Sequence, residues 1–154
     1  MRFLHSKGDE RLISIPAIGL DLAVRVPSGA TDGSATALET IDAPGFGPPL
    51  HRHRETKIFR ILEGSYLFDV DGRRFQAEKG DVVNVPGGAA HAFVNVTALP
   101  ARQFVLFVPG LDAVRFFKGL ADVMRNGSPH QDLLNAFGRN WGVEFLGPPL
   151  ALVG

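Results

Sequence analysis

The chain has 154 residues, 45% hydrophobic and 21% charged, a globular composition long enough for one domain with a sizeable core. Sixteen Lys and Arg balance sixteen Asp and Glu, so no electrostatic drive points to phosphate backbones or anionic lipid, and neither nucleic acid nor membrane is an expected partner. Cysteine is absent, which excludes disulfides and thiolate metal sites. No apolar run reaches membrane-spanning length, and the opening MRFLHSKGDER lacks the apolar stretch of a secretory signal. A soluble cytoplasmic protein is the expectation.

Short β-type segments follow one another at 11–15, 20–26, 35–41, 51–62, 65–70, 73–77, 81–85, 91–96 and 102–108. Glycine- and proline-containing turns separate them, among them Pro27-Ser28-Gly29, Glu63-Gly64, Asp71-Gly72 and Pro86-Gly87-Gly88. Asp71-Gly72 between two alternating runs is a hairpin signal. Regular short strands with such turns predict an all-β sandwich or barrel over residues 1–110. Beyond Pro109 the period changes. Asp112 is placed to cap a helix with Val114, Phe117, Leu120, Ala121 and Met124 on one face, stopped by Gly127. Ser128-Pro129-His130-Gln131 reads as an N-cap, a proline at the first helical position and a capping-box glutamine, opening a short helix to Phe137 that Gly138 ends. The tail WGVEFLGPPL reads as extended. Residues 111–154 are thus a helical appendage and tail of the same domain. The twelve Phe, against one Tyr and one Trp, imply a dry aromatic interior.

Three of the five histidines fall in two glycine-punctuated segments, GFGPPLHRHRETKIFRILEG (45–64) and GDVVNVPGGAAHAFVN (80–95). Alternate residues share one face of a strand, so His51 and His53 point the same way. His91 from an antiparallel partner would complete three nitrogen ligands and leave coordination positions open.

These segments resemble the paired motifs of the cupin superfamily, G-x5-H-x-H-x3 or 4-E-x6-G and G-x5-P-x-G-x2-H-x3-N. Gly45, His51, His53 and Gly64 stand at the positions of the first; Gly80, Pro86, Gly88, His91 and Asn95 match the second throughout. The resemblance implies an RmlC-like double-stranded β-helix, or jelly roll. The tail is similar to that of small single-domain cupins resembling quercetin dioxygenases.

One position departs. The glutamate of the first motif should stand three or four residues after His53, and the better match there is Lys57. Three readings are open. The site is a three-histidine centre, with Lys57 turned away or holding an anion. Alternatively Glu55, on the same face by strand parity, supplies a fourth ligand, which needs a bulge. Or Lys57 has displaced the metal, because an ammonium repels a dication and a buried lysine escapes only by losing its proton.

The resemblance implies one divalent metal ion, iron first, with manganese, nickel, copper or zinc as alternatives, or none if Lys57 has evicted it. It implies a metal-dependent dioxygenase acting on a small apolar or aromatic substrate, with Lys57 as a catalytic residue that stabilises developing negative charge. A metal-free small-molecule-binding cupin and a metal-assisted isomerase or epimerase are the alternatives. It also implies a homodimer. Gly64, Gly80, Pro86, Gly88 and Asn95 read as structural, Arg52, Arg54, His5 and His130 as surface residues, and Phe59, Phe93, Phe104 and Phe107 as core. There is no G-x-S-x-G elbow, no dinucleotide loop and no phosphate-binding loop.

Overall fold

Side-chain alternation makes most of this chain fold as sheet. In the run Ala101–Val108, residues 101, 103, 105 and 107 are buried and their neighbours face outward, the two-residue period of a strand with one dry side. The computed structural model describes residues 3–152. They contain β1 (Ile13–Ile15), β2 (Leu20–Val26), β3 (Thr36–Asp42), β4 (Pro49–His53), β5 (Thr56–Glu63), β6 (Ser65–Val70), β7 (Arg73–Glu78), β8 (Val82–Val85), β9 (His91–Asn95) and β10 (Ala101–Val108), then α1 (Ala113–Val123), α2 (Gln131–Arg139) and β11 (Val143–Pro149). One sheet has the order β1-β2-β3-β10-β5-β8, the other β11-β4-β9-β6-β7, and the paired strands are antiparallel. Their inner faces enclose the core, where Phe59, Phe68, Tyr66 and Phe93 pack edge-to-face or tilted at 5.2–6.2 Å. The result is a jelly-roll barrel, as the strand pattern and paired motifs imply.

The Asp71-Gly72 hairpin forms, both residues taking positive φ (50° and 83°) as a tight primed turn requires. Asp69, beside it, receives the Gly72 N–H and pairs with Arg74, a structural role.

The expected single strand 51–62 is instead two strands in different sheets. The chain bends at Arg54–Glu55, so that β4 belongs to the five-stranded sheet and β5 to the six-stranded one. Alternation continues through the corner, with His51, His53, Glu55, Lys57 and Phe59 all buried and Arg52, Arg54 and Arg60 exposed. Because parity is unbroken, sequence pattern alone cannot reveal a corner of this kind.

The appendage is more than a cover. Asp112 caps α1 by accepting the Arg115 N–H, as expected. The buried face of α1 is Ala113, Phe116, Phe117 and Leu120, with Val114 turned out, and the helix ends at Val123, short of Gly127. The second helix differs from its expected form. His130 occupies the cap position without a side-chain bond, and Gln131 donates to the Phe145 carbonyl in place of closing a capping box. Gly138 lies inside α2, because an added Cβ would stand 2.3 Å from the Val143 carbonyl oxygen. The tail is a true strand. β11 pairs with β4, Val143 opposite His53 and Phe145 opposite His51, and Asn135 of α2 fixes it through both polar groups of Phe145.

Candidate metal centre

His51 and His53 project from one face of β4, and the β4–β9 pairing sets His51 directly opposite His91. The three rings form a tight cluster, with centroids 4.3, 5.1 and 5.6 Å apart. All three are buried, and one nitrogen from each lies within 4.8 Å of the others.

Their tautomers follow from the backbone. His51 Nδ1 lies 2.6 Å from the Pro49 carbonyl oxygen, His53 Nδ1 3.0 Å from that of Glu55, and His91 Nδ1 2.9 Å from that of Ala89. A carbonyl only accepts, so each Nδ1 carries the proton and each Nε2 presents a lone pair. His53 Nε2 and His91 Nε2 are buried with no protein partner. Neutral imidazoles oriented by backbone carbonyls and left with free Nε2 atoms are the arrangement metal-binding histidines adopt. Burial first, then the Lys57 charge, holds His53 and His91 down at about 3. His51 is held well below its ordinary value by burial, then by His91. The rings therefore stay neutral at physiological pH, and the donor set fits a divalent ion.

The second motif builds the corner that aims His53. Gly88 N–H donates to the His53 carbonyl at 2.7 Å, and Gly87 N–H reaches the Thr56 hydroxyl at 3.2 Å. A Cβ on Gly87 would stand 2.1 Å from the Arg54 carbonyl oxygen. Gly87→Ala is therefore expected to destabilise the barrel by roughly 2–4 kcal/mol, because the clash is with backbone. Its metal content should fall as the His53 corner shifts. Urea unfolding and metal analysis of the purified variant check both. Asn95 proves structural, donating to the Asp42 and Leu99 carbonyls and accepting from Thr97. His5 and His130 are exposed.

Glu55 is buried, and its Oε1 has no hydrogen-bond partner. It stands 3.8 Å from His53 Nδ1, on the side of the ring facing away from the free Nε2. Because His53 is neutral, this contact is not an ion pair, and the clustered donor atoms are those of the three histidines.

Lys57 is buried, not a solvated strand-end residue. Its Nζ lies 5.0 Å from the Phe107 ring centre and 5.2 Å from that of Phe59, within cation–π range. Burial pulls its pKa down to about 8, against the attraction of Asp42 and Glu55.

Asp42, at the end of β3, was not marked by the sequence. It is 1% exposed and lines the same cavity as His51 and His53. Tyr66 Oη and Thr40 Oγ1 both donate to its Oδ2, at 2.6 and 3.0 Å. Burial pushes its carboxyl up to about 6, against the opposing pull of Tyr66, Thr40, Gln103 and Lys57. The signal in the sequence was strand parity, since Leu38, Thr40 and Asp42 alternate inward; what hid it was its place next to an Ala-Pro-Gly turn, where aspartate is ordinary.

The cavity between these groups is otherwise apolar. Phe59, Phe93 and Phe107 line it along with packing the core, whereas Phe104 faces outward on β10. The appendage contributes Phe116, Phe117, Leu120 and Trp141, and β11 adds Val143 and Phe145. The cavity volume is about 80 Å³, room for a small molecule displacing a few waters.

Residues 38–107 match the family model of the cupin domain. Residues 38–107 are a cupin domain. Against curated proteins, the chain is 32% identical over 65 residues to the uncharacterized protein MJ1618 of Methanocaldococcus jannaschii, covering 42% of this chain and 52% of that relative. The chain thus spans about half the length of the curated relative it matches. Among solved structures, it is similar to an RmlC-like cupin from Shewanella frigidimarina, with TM-score 0.63 and 18% identity over 74% of this chain and 96% of that one. It is also similar to a predicted oxalate decarboxylase from Thermotoga maritima, with TM-score 0.61 and 22% identity over 70% and 99% of the two chains. At these identities the likeness is one of fold, and the chemistry of this cupin must be argued from its own site. Among the described residues no helix is long and apolar enough to cross a membrane.

Proposed function

We propose that this cupin is a mononuclear metal-dependent dioxygenase acting on a small apolar or aromatic molecule that carries a negatively charged oxygen. The observation that carries this reading is the clustering of three neutral imidazoles, each fixed through Nδ1, with His53 and His91 unpartnered at Nε2 and His51 and His53 at the wall of a phenylalanine-lined cavity. His51, His53 and His91 would hold iron, or manganese, nickel, copper or zinc. The ion, when bound, supplies Lewis acidity and open coordination positions for substrate and dioxygen.

The remaining polar groups set the charge of the substrate. With Lys57 protonated and Asp42 ionised, the two charges offset each other, and a dication at the histidines makes the site net positive. An anion is the matching guest. Lys57, which joins none of the ion pairs among the described residues, would offer its ammonium to the substrate oxygen, and the aromatic wall would take the apolar part and exclude water. Metal-assisted isomerase chemistry is the second reading, favoured by the buried Asp42 carboxylate in the same cavity. We further propose that the chain is a homodimer, joined through the outer face of the six-stranded sheet, where Ile58, Leu62, Phe104 and Leu106 are only partly covered.

Elemental analysis of the purified protein by plasma mass spectrometry tests the centre: about one ion per chain is expected. Oxygen uptake with anionic aromatic compounds then separates the readings. Uptake supports the dioxygenase, and substrate turnover without it supports the isomerase. An empty site that fills in Lys57→Glu would sink the metalloenzyme reading.

A further inference from the structure

A fully buried carboxylate needs a reason. Asp42 lies at the wall of the cavity, on a different sheet from the histidine strands, and joins none of the ion pairs among the described residues. Both hydroxyls that reach it, Tyr66 Oη and Thr40 Oγ1, converge on Oδ2, so Oδ1 is left free of them. Gln103, fully buried beside this cluster, has neither amide atom in a hydrogen bond of good geometry. A carboxylate whose two hydroxyl donors both fall on one oxygen, at the wall of a cavity, has the geometry of a proton acceptor.

We propose that Asp42 is the catalytic base of this site and that its substrate is an enolisable carbonyl compound bearing an anionic group. This deepens the reading above and rests on it for the position of the substrate at the histidines. The step removes the proton of the C–H bond next to the carbonyl, or of the O–H bond of the enol tautomer. The bonding pair stays on the substrate as the enolate, and the proton forms an O–H bond at Asp42 Oδ1. The enolate oxygen faces Lys57, and return of the proton to either atom regenerates one of the tautomers. An electron-rich enolate serves both oxygenation and isomerisation. The groups that face Asp42 agree with this role: Lys57 of β5 favours its charged form, and Tyr66 of β6 and Thr40 hold Oδ2, while burial keeps its proton affinity near neutrality.

Pyruvate, a small monoanion with enolisable hydrogens, is the probe. In deuterated buffer, metal-loaded protein should speed the exchange of its methyl hydrogens, followed by proton NMR. Asp42→Asn should cut the enzyme-dependent exchange at least about 100-fold, with metal content and circular dichroism unchanged. In the native protein the exchange should rise with pH through about 6 as Asp42 ionises, and the variant should lose that rise. A second readout needs no turnover. In metal-free protein, carbon NMR should show one carboxyl titrating near 6, absent in Asp42→Asn, whose midpoint moves upward when pyruvate binds. A purely structural carboxylate would not respond to the probe.

Undiminished exchange in Asp42→Asn, or a midpoint indifferent to the probe, overturns the assignment. Metal-loaded native protein that fails to speed exchange overturns it too, while the metal reading stands. If the protein binds no metal, the metalloenzyme reading falls. The base assignment then survives only if metal-free protein catalyses exchange that Asp42→Asn abolishes, and fails otherwise.

Discussion

His53→Ala is expected to lower bound metal from about one ion per chain to a trace while the barrel stays folded. Three nitrogen donors would hold the ion, and the residues nearby do not provide a substitute. Glu55 stands on the Nδ1 side of the lost ring, and Lys57 is a cation. Two imidazoles with no third donor cost at least two orders of magnitude in affinity, comparable to or beyond the loss of an outer-shell partner. The structural cost is smaller. His53 gives up one hydrogen bond to the Glu55 carbonyl and a ring contact with Phe107 at 6.1 Å, about 1–2 kcal/mol. Thermal unfolding with and without added metal is the companion measurement. Ligand binding to the native state raises the midpoint of the parent protein, and the variant should show no such rise. Stoichiometric metal retained in His53→Ala would remove the residue from the ligand set.

Lys57→Met should make the metal-free protein more stable at pH 7, on the order of 3 kcal/mol. Burial is the main force drawing the lysine from 10.5 to about 8, so the fold favours the neutral amine and the ammonium is carried at a cost of that order. A methionine keeps the length and the contacts with Phe59 and Phe107 without the charge. Asp42, relieved of its cation, takes up a proton more readily and does not remain as an orphaned charge. The sign sets the pH dependence. The penalty in the parent protein is full below about pH 8 and fades between there and 10.5, so the advantage of the variant should be large at pH 7 and small near pH 10. Urea unfolding in a chelator at the two pH values measures it. The same change should raise metal affinity roughly tenfold or more, since the repulsion between ammonium and dication is gone. A variant less stable than its parent at pH 7 would mean that Asp42 and Glu55 already compensate the ammonium fully.

Much of this was legible in the sequence because the relevant information was local. His51 and His53 share a face by parity, and the spacing of the second motif puts His91 on a partner strand. The hairpin at Asp71-Gly72 is written in its two turn residues. The misses are of another kind. The corner at Arg54–Glu55 preserves alternation, and only the pairing of β4 with β9 and of β5 with β10 shows that the chain has changed sheets. Gln131 has the right offset for a capping box but finds a better partner in the Phe145 carbonyl, a contact made by tertiary packing. Asp42 lies nine residues before His51 and in the other sheet, so no spacing rule joins them. Lys57 is legible in the sequence as the departure from the family pattern; its burial between two phenylalanine rings could come only from the folded barrel.

The division of labour along the chain has a consequence for how such a protein could change. The candidate donors and the acid–base groups all lie before residue 92, whereas α1 and Trp141 furnish much of the wall a guest would touch. β11 is tied to the His51 strand and is not free to vary. The helical segment between β10 and β11 meets the barrel through the buried side chains of α1 and, in α2, through Gln131 and Asn135, the two residues a graft would have to keep. Exchange of that segment between homologous chains should therefore redraw the range of accepted molecules while leaving the reaction intact, so that new substrates are acquired by grafting and not by rebuilding the centre.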